Sequence, residues 1–279
     1  MYKWDPEQFK KSYTADSKAQ RVLLKQVADH SDNYTEKFSV PTTIKFSAHD
    51  VKYSNKLNRK GVIVFEDLTT DGAIVKYTSM LLNGRYYNVA AHNFASRSSP
   101  GGGYVRGAMA QEEANCYQYP ILYYSLYEAS QKRLYPLNAG NALVTPNIER
   151  IRDTLENGFA IIEKPTVRAM FVSAAAPNLR DTKTAFKDVQ KGVEATFEVV
   201  MKCPVAYDET INCLILGGFG CGVFAPQTNR AEYVKEMAKC TRHYAETYQH
   251  LYDVIVIALP SELDSENYTI FRDVFLAAN

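Results

Sequence analysis

Short runs of consecutive apolar residues recur along the chain after residue 60 and predict buried β-strands. These runs are residues 62–65, 141–145, 167–176, 213–216 and 254–259, and residues 86–91 give a further strand. Strands that are apolar at every position are typical of a sheet covered on both faces. Turn residues at 70–72 predict a hairpin, with residues 73–77 returning as its second strand.

Between these strands, apolar residues repeat with the period of an α-helix. A long pattern of this kind covers residues 182–201, where Val189, Val193 and Phe197 lie on one face. Further helices are predicted over residues 108–119, 229–249 and 268–277. Pro120 is expected to stop or kink the first of these. Alternating strands and amphipathic helices predict an α/β sandwich with helices on both faces of the sheet.

The beginning of the chain follows a different pattern. Asp5, Pro6 and Glu7 predict the start of a helix, because aspartate caps a helix, proline suits its first position and glutamate its first turn. Further helical pattern and then a polar stretch follow. We therefore predict an N-terminal, mainly helical cap over residues 1–58, packed on a main body over residues 59–279.

Composition and charge narrow the classes of function. The 279 residues are 46% hydrophobic and carry a formal net charge of +1. Strong direct nucleic-acid binding is not expected, because it needs clustered excess positive charge. Apolar runs fall well short of the roughly 20 residues that cross a bilayer, and the N-terminus lacks the apolar segment of a secretory signal. Five cysteines without a metal-ligand or disulfide pattern indicate a reducing compartment. We predict a cytoplasmic protein without a membrane partner, metal or cofactor.

Two glycine-rich loops each lead towards a helix. The first glycine loop (residues 96–107) contains Gly101, Gly102 and Gly103, and the second glycine loop covers residues 217–224. Clustered glycines let backbone N–H groups converge near a helix N-terminus, and such concavities bind phosphate. Neither loop has the Gly-Lys-Ser/Thr motif of a nucleotide triphosphatase or the complete dinucleotide fingerprint. The pair of loops therefore indicates a diphosphate ligand that is not a hydrolysed nucleoside triphosphate.

The helix after the first glycine loop begins with Gln111, Glu112 and Glu113. Acidic residues in a first turn often serve only to complement the helix dipole. Beside a loop that attracts an anion, two carboxylates repel that anion unless the ligand places hydroxyls or a leaving group there. A ribose attached to a diphosphate meets this condition, because carboxylates accept hydrogen bonds from its hydroxyls. A protonated carboxylate can also act as a general acid at a glycosidic bond.

Together these residues resemble the signature of the poly(ADP-ribose) glycohydrolases. The matching segments are Asn93-Phe94-Ala95, Pro100-Gly101-Gly102-Gly103 and, after seven further residues, Gln111-Glu112-Glu113. The second loop, Leu216-Gly217-Gly218-Phe219-Gly220-Cys221-Gly222-Val223-Phe224, is similar to the second phosphate loop of the microbial-type branch. The resemblance covers roughly residues 60–279. It implies a macrodomain-like three-layer α/β/α sandwich with a mixed sheet.

The resemblance also implies a role for each matching residue. Glu113 matches the catalytic acid and base, and Glu112 matches the glutamate that contacts ribose hydroxyls around the scissile bond. Asn93 matches an asparagine that holds the terminal ribose, and Gln111 is expected to position the glutamates. The other implied substrate-binding residues are Gly102, Gly103, Tyr104 and Val105 against the ribose and its phosphate, Gly220, Cys221, Gly222 and Val223 around the diphosphate, and Phe224 against the terminal ribose.

The implied activity is hydrolysis of the ribose–ribose O-glycosidic bonds of poly(ADP-ribose), with ADP-ribose as the product. The partners would be poly(ADP-ribose) or ADP-ribosylated macromolecules. One alternative is a macrodomain that binds ADP-ribose without catalysis, although the intact Gln-Glu-Glu motif favours an enzyme. Another is a hydrolase that removes single ADP-ribose units from protein or nucleic acid.

Other reactive side chains near the motifs are expected to have simpler roles. Cys221 has no histidine near it in the sequence, so we do not expect it to be a nucleophile. His92 lies beside Asn93 and is expected to be structural. Arg97 and Arg106 flank the glycine triplet, and the sequence leaves open whether they contact phosphate or solvent.

Overall fold

The computed structural model describes residues 4–14, 16–35, 37–54, 57–82 and 84–277. Its helices and strands in chain order are α1 (Pro6–Ser12), α2 (Ser17–Thr35), β1 (Ile44–Ser47), β2 (Val62–Glu66), α3 (Thr70–Ser79), β3 (Leu81–Leu82), β4 (Arg85–Tyr86), β5 (Val89–Phe94), α4 (Gln111–Gln118), α5 (Pro120–Gln131), β6 (Asn141–Glu149), β7 (Arg168–Ala174), α6 (Phe186–Tyr207), β8 (Cys213–Leu216), α7 (Arg230–Tyr248), β9 (Val254–Ala258) and α8 (Ser265–Leu276). Short 3-10 helices cover Tyr104–Arg106 and Gln249–Leu251.

The main sheet of the described residues has seven strands in the order β1-β6-β7-β5-β8-β9-β2. Strands β7, β5, β8, β9 and β2 pair in parallel. Strand β6 runs antiparallel to both of its neighbours, β1 and β7. The predicted sandwich with a mixed sheet is therefore confirmed.

Helices cover both faces of this sheet, which explains why its central strands are buried along nearly their whole length. Along β5, Ala90 belongs to the core under α6, α7 and α8, whereas Ala91 belongs to the core under α1 to α5. Each large aliphatic side chain buried in such a core contributes about 1.5–3 kcal/mol. No helix in the described ranges is both long and apolar enough to cross a membrane.

Parallel pairing brings both glycine loops to one edge of the sheet. Ala91 of β5 pairs with Phe171 of β7 on one side and with Ile215 of β8 on the other. The first glycine loop follows β5 and the second follows β8. Because these neighbouring strands end at the same edge, the loops begin side by side, where ligands of open α/β sheets usually bind.

The hairpin predicted at residues 70–72 is wrong, because α3 begins there. The Thr69 side chain accepts a hydrogen bond from the Gly72 N–H at 3.1 Å and caps the helix. The predicted strand 73–77 forms the middle of this helix and places its apolar residues against the sheet. Those buried apolar residues are Ala73, Ile74 and Tyr77.

Pro120 ends one helix and begins another. Helix α4 stops at Gln118, as expected, and Pro120 then occupies the first turn of α5, a helix that the sequence analysis did not predict. Proline is compatible with this position because the first N–H groups of a helix have no partner within it. The two helices pack on the same face of the sheet.

The segment 1–58 holds more than helices. Helix α1 starts as predicted, with the Asp5 side chain accepting from the Gln8 N–H at 3.0 Å and Pro6 in the first turn. However, Ile44–Ser47 form β1, the edge strand that pairs with β6 of the main sheet. The last part of this segment therefore belongs to the sheet, and the boundary at residue 58 stays a prediction.

Helices α1 and α2 pack against two glycines of the main body that have a left-handed backbone conformation. A Cβ at Gly107, which has a φ of +72°, would lie 1.9 Å from the Arg21 carbonyl oxygen. A Cβ at Gly158, with a φ of +63°, would lie 2.4 Å from the Pro6 carbonyl oxygen. Trp4 adds a hydrogen bond from its Nε1 to the Gly158 carbonyl oxygen at 2.8 Å. Helix α2 thus packs directly on the end of the first glycine loop.

Candidate active site

The first glycine loop lies against the two glutamates at the start of α4. Gly101 and Gly102 have φ angles of +65° and +60°, which side chains other than glycine rarely adopt. A Cβ at Gly102 would lie 2.4 Å from Glu113 Oε1 and 3.0 Å from Glu112 Oε2. Glycine is therefore required at residue 102 both by backbone conformation and by the approach of the two carboxyl groups, and at residue 101 by backbone conformation.

Glu113 is held by the loop that it faces. Its Oε1 accepts a hydrogen bond from the Gly103 N–H at 2.7 Å, and only 8% of the residue is exposed. This hydrogen bond fixes the orientation of the Glu113 carboxyl group beside the loop, where the group stays partly accessible to solvent. The Tyr117 hydroxyl also donates to the carbonyl oxygens of Tyr104 and Ala108, which fixes the loop onto α4.

Glu112 lies deeper in the same first turn. Its Oε2 accepts from the Ser96 N–H at 2.7 Å, and only 3% of the residue is exposed. Burial raises the pKa of Glu112 to about 8, and the charge of Glu113 acts in the same direction. The hydrogen bond from Ser96 opposes this shift but does not cancel it. Near neutral pH, Glu112 is therefore mostly protonated.

The raised pKa of Glu112 predicts a pH-dependent effect on stability. Its folded value lies above the unfolded value near 4.5, so folding binds a proton and the free energy of unfolding falls as pH rises from about 4.5 to 8. In the Glu112→Gln variant this loss is absent. We expect the variant to gain up to about 4 kcal/mol on the parent protein between pH 5 and pH 8.

Urea unfolding of both proteins at pH 5, 6.5 and 8 measures this effect. Taking the difference between the two proteins removes the contributions of all other titrating groups. A difference that stays constant across these pH values would mean that Glu112 is ionised in the folded protein.

Behind Glu112 lies a buried network of neutral polar side chains. Asn93 Nδ2 donates to Ser173 Oγ at 3.0 Å and to Glu112 Oε1 at 3.5 Å. Asn115 Nδ2 donates to Asn93 Oδ1 at 3.0 Å, which fixes the orientation of the Asn93 amide. Asn93 is fully buried and supports Glu112 here, so its contact with a ribose stays a prediction. The sequence analysis missed Ser173 and Asn115, although a serine inside an otherwise apolar strand was a visible signal.

Gln111 fastens the start of α4 to the end of β5. Its Nε2 donates to the His92 carbonyl oxygen at 2.8 Å and to Thr70 Oγ1 at 3.1 Å. Its Oε1 accepts from the Phe94 N–H at 2.8 Å. The helix that carries both glutamates is therefore anchored to the sheet directly before them.

The two glycine loops differ in the use of their N–H groups. In the first loop, the N–H groups of Gly102, Gly103 and Tyr104 all donate within the protein. The contacts of this backbone with ribose and phosphate stay a prediction, and of these residues Val105 is 40% exposed. Tyr104 itself is fully buried.

The second glycine loop leaves consecutive N–H groups free. Within the described part of the chain, the N–H groups of Gly222, Val223 and Phe224 have no protein acceptor. A Cβ at Gly222 would meet no atom within 4 Å, and Val223 is 61% exposed. Gly220 supports the turn with a φ of +74°. Consecutive free N–H groups on an open face form an anion-binding concavity.

Two reactive side chains at the second glycine loop are buried. Cys221 belongs to the loop, and His92 packs against Phe219 of the loop. Cys221 is fully buried, and burial raises the pKa of its thiol, so it is a poor nucleophile. Burial lowers the pKa of His92 to about 3, and its ring nitrogens have no hydrogen-bond partner in the described residues. The neutral imidazole packs against Phe94 and Phe219, with ring centroids 5.1 and 4.6 Å away. It is suited to a structural role.

The two arginines of the first loop are exposed. Arg97 donates to Asn138 Oδ1 at 3.0 Å, and Arg106 makes a long contact of 3.5 Å with the Gly102 carbonyl oxygen. In these contacts neither arginine side chain donates a hydrogen bond to a buried partner. Across the described ranges, no three or more His, Cys, Asp or Glu side chains form a group that could hold a metal ion.

The family model of the microbial-type PARG catalytic domain, where PARG is poly(ADP-ribose) glycohydrolase, matches residues 8–152. This is more than half of the chain and includes the first glycine loop and both glutamates. No curated protein matches the chain.

Solved structures of bacterial enzymes share the fold. The poly(ADP-ribose) glycohydrolase from Thermomonospora curvata matches with a TM-score of 0.69 and 20% sequence identity, over 91% of this chain and 100% of that chain. The enzyme from Deinococcus radiodurans in complex with ADP-ribose matches with a TM-score of 0.62 and 21% identity, over 84% of this chain and 93% of that chain. At such identities the likeness concerns the fold.

Proposed function

The chain belongs to the family of microbial-type poly(ADP-ribose) glycohydrolase catalytic domains, glycosidases that act on poly(ADP-ribose), and we propose that Glu113 transfers the protons in this hydrolysis. The observation that carries the proposal is the pair of buried glutamates held against the first glycine loop. Glu113 Oε1 lies 2.7 Å from the Gly103 nitrogen, with Glu112 beside it in the same turn.

The proposed step cleaves the O-glycosidic bond between two riboses. Glu113 in its acid form gives its proton to the leaving ribose oxygen while the bond from that oxygen to the anomeric carbon breaks. The resulting carboxylate takes a proton from water, and the water oxygen bonds to the anomeric carbon. Glu113 regains its proton, one water molecule is consumed and ADP-ribose is released.

Glu112 is proposed to hold the ribose hydroxyls. Because it is mostly protonated near neutral pH, it does not add a full negative charge beside Glu113 and the diphosphate. Its acid hydroxyl can donate a hydrogen bond to the sugar. The network of Asn93, Asn115 and Ser173 keeps this carboxyl group in one orientation.

The diphosphate is proposed to bind the second glycine loop. Its oxygens would accept from the free N–H groups of Gly222, Val223 and Phe224, with Gly220 and Cys221 shaping the turn. The positive charge that develops at the anomeric carbon is stabilised by a phosphate held nearby. The side chain of Phe224 would then lie against the terminal ribose.

Incubation of the purified protein with two substrates tests this function. We expect free ADP-ribose to be released from poly(ADP-ribose), because the family acts on this polymer and Glu112 and Glu113 both lie against the first glycine loop. A mono-ADP-ribosylated protein is the comparison substrate. Tight binding of ADP-ribose without release from either substrate would identify a non-catalytic reader. Release from the mono-ADP-ribosylated protein alone would identify the other alternative.

A further inference from the structure

The carbonyl groups of the second glycine loop are bound by side chains from two helices. Arg230, the first residue of α7, donates through Nη2 to the Cys221 carbonyl oxygen at 2.7 Å and through Nη1 to the Gly222 carbonyl oxygen at 3.1 Å. Asn267 of α8 donates through Nδ2 to the same Cys221 carbonyl oxygen at 3.0 Å. The loop is thus held from behind by residues outside the glycine motif.

These bonds determine where the free N–H groups of the loop point. In a trans peptide the C=O and the following N–H point in opposite directions. Binding of the Cys221 carbonyl from behind therefore turns the Gly222 N–H outward. Binding of the Gly222 carbonyl does the same for the Val223 N–H. Arg230 thus helps to direct two of the three free N–H groups. It acts together with Asn267 at the Cys221 carbonyl and together with the Ala225 N–H, which donates to the Gly222 carbonyl oxygen at 3.1 Å.

We propose that Arg230 and Asn267 are positioning residues that set the affinity of the second glycine loop for the diphosphate, an inference that rests on the proposed function. They do not need to touch the ligand. Their hydrogen bonds hold the N–H groups in the binding arrangement before the anion arrives, which lowers the cost of ordering the loop on binding. The guanidinium charge directly behind the loop adds to the attraction.

The placement of Arg230 is unfavourable for α7 alone. A cation in the first turn of a helix opposes the helix dipole. Asp264, which caps α8, offsets the charge through an ion pair of 3.2 Å with Arg230 Nη2. Asp264 Oδ1 also accepts from the backbone N–H of Asn267 at 3.0 Å, so a single carboxylate pairs with Arg230 and caps the helix that carries Asn267.

Asn267 is also unfavourable for stability, and its hydrogen bond to the Cys221 carbonyl explains its presence. The residue is 5% exposed, and in the described residues its Oδ1 has no hydrogen-bond partner. A buried acceptor without a partner is destabilising. An apolar residue would avoid this cost but would leave the Cys221 carbonyl with one donor fewer. The amide therefore serves the loop.

Substitution of both donors tests the proposal. Calorimetry with ADP-ribose is expected to give a dissociation constant about 10- to 100-fold higher for Arg230→Met, since hydrogen bonds from a charged donor are lost. For Asn267→Leu we expect an increase of about 3- to 10-fold. The kcat at saturating poly(ADP-ribose) should fall by less than about threefold, with the remaining effect in KM.

Two further variants separate positioning from charge and from folding. Arg230→Lys keeps the charge but not the two-pronged donor, so we expect its affinity to lie between those of the parent and Arg230→Met. Arg272→Met removes a cation of α8 that pairs with the exposed Asp273, and it should bind ADP-ribose within about twofold of the parent. If Arg230→Met does not fold, the affinities of Asn267→Leu and Arg230→Lys for ADP-ribose still test the positioning role.

The outcomes distinguish this inference from the proposed function. If the parent protein neither binds ADP-ribose nor releases it from polymer, the proposed function fails. If the parent binds and hydrolyses while Arg230→Met and Asn267→Leu bind equally well, the function stands and the positioning role is overturned. Full recovery of affinity in Arg230→Lys would also overturn it, because charge alone would then explain the effect.

Discussion

The Glu113→Gln variant is expected to release ADP-ribose from poly(ADP-ribose) about 10²- to 10⁴-fold more slowly than the parent protein. Glutamine has nearly the same shape as glutamate, and its amide oxygen can still accept from the Gly103 N–H. It cannot, however, give a proton to a leaving oxygen or take one from water. The loss should therefore appear in kcat, while calorimetry should find ADP-ribose bound with similar affinity.

A surface glutamate provides the matched control. Glu163 is exposed and lies outside the site, so Glu163→Gln makes the same chemical change without touching the reaction. It should hydrolyse the polymer like the parent protein. Parental turnover by Glu113→Gln would refute the role of Glu113 as acid and base, even though family membership would stand.

The Gly102→Ala variant is expected to lose about 10²-fold in activity, because its methyl group would displace the Glu113 carboxyl group, which we propose to be the proton donor. The new Cβ would lie 2.4 Å from Glu113 Oε1, which is held in place by the Gly103 N–H. The φ of +60° at this residue adds a backbone cost of about 1–2 kcal/mol. Kinetics on the polymer and thermal unfolding measure the two effects separately.

Gly84 allows the steric effect to be isolated. It has a φ of +78°, but a Cβ there would meet no atom within 4 Å. Gly84→Ala should therefore show the same backbone cost in stability and leave hydrolysis unchanged. If Gly102→Ala retained parental activity, displacement of the Glu113 carboxyl group would have no effect on the reaction. The fixed position of this group could then not be part of catalysis.

The main sheet was largely predictable because its central strands are buried on both faces. The run 213–216 was predicted with the bounds that β8 has. The prediction was wrong where the same residue types are compatible with two different structures. Residues 70–72 suit a turn as well as the start of α3, and only the cap by Thr69 and burial against the sheet decide between them. Strand β1 was missed because it is short, half-exposed and paired with a distant strand.

The candidate site was predictable only as far as it is contiguous in sequence. Glu112 and Glu113 follow the glycine triplet closely, so their proximity to the loop followed from the motif. Ser173 and Asn267 come from distant strands and helices, and three-dimensional packing alone brings them to the site. The raised pKa of Glu112 has the same origin, because burial is a property of the whole fold.

The contact of α2 with Gly107 bears on how far this enzyme could be shortened. The Arg21 carbonyl fills the space that a side chain would need at Gly107, and the Pro6 carbonyl does the same at Gly158. A fragment that begins after residue 58 would uncover both turns and strip the edge strand from the sheet. We therefore expect the smallest autonomous catalytic unit to include α1 and α2, and engineered fusions or trimmed forms of the protein to need them intact.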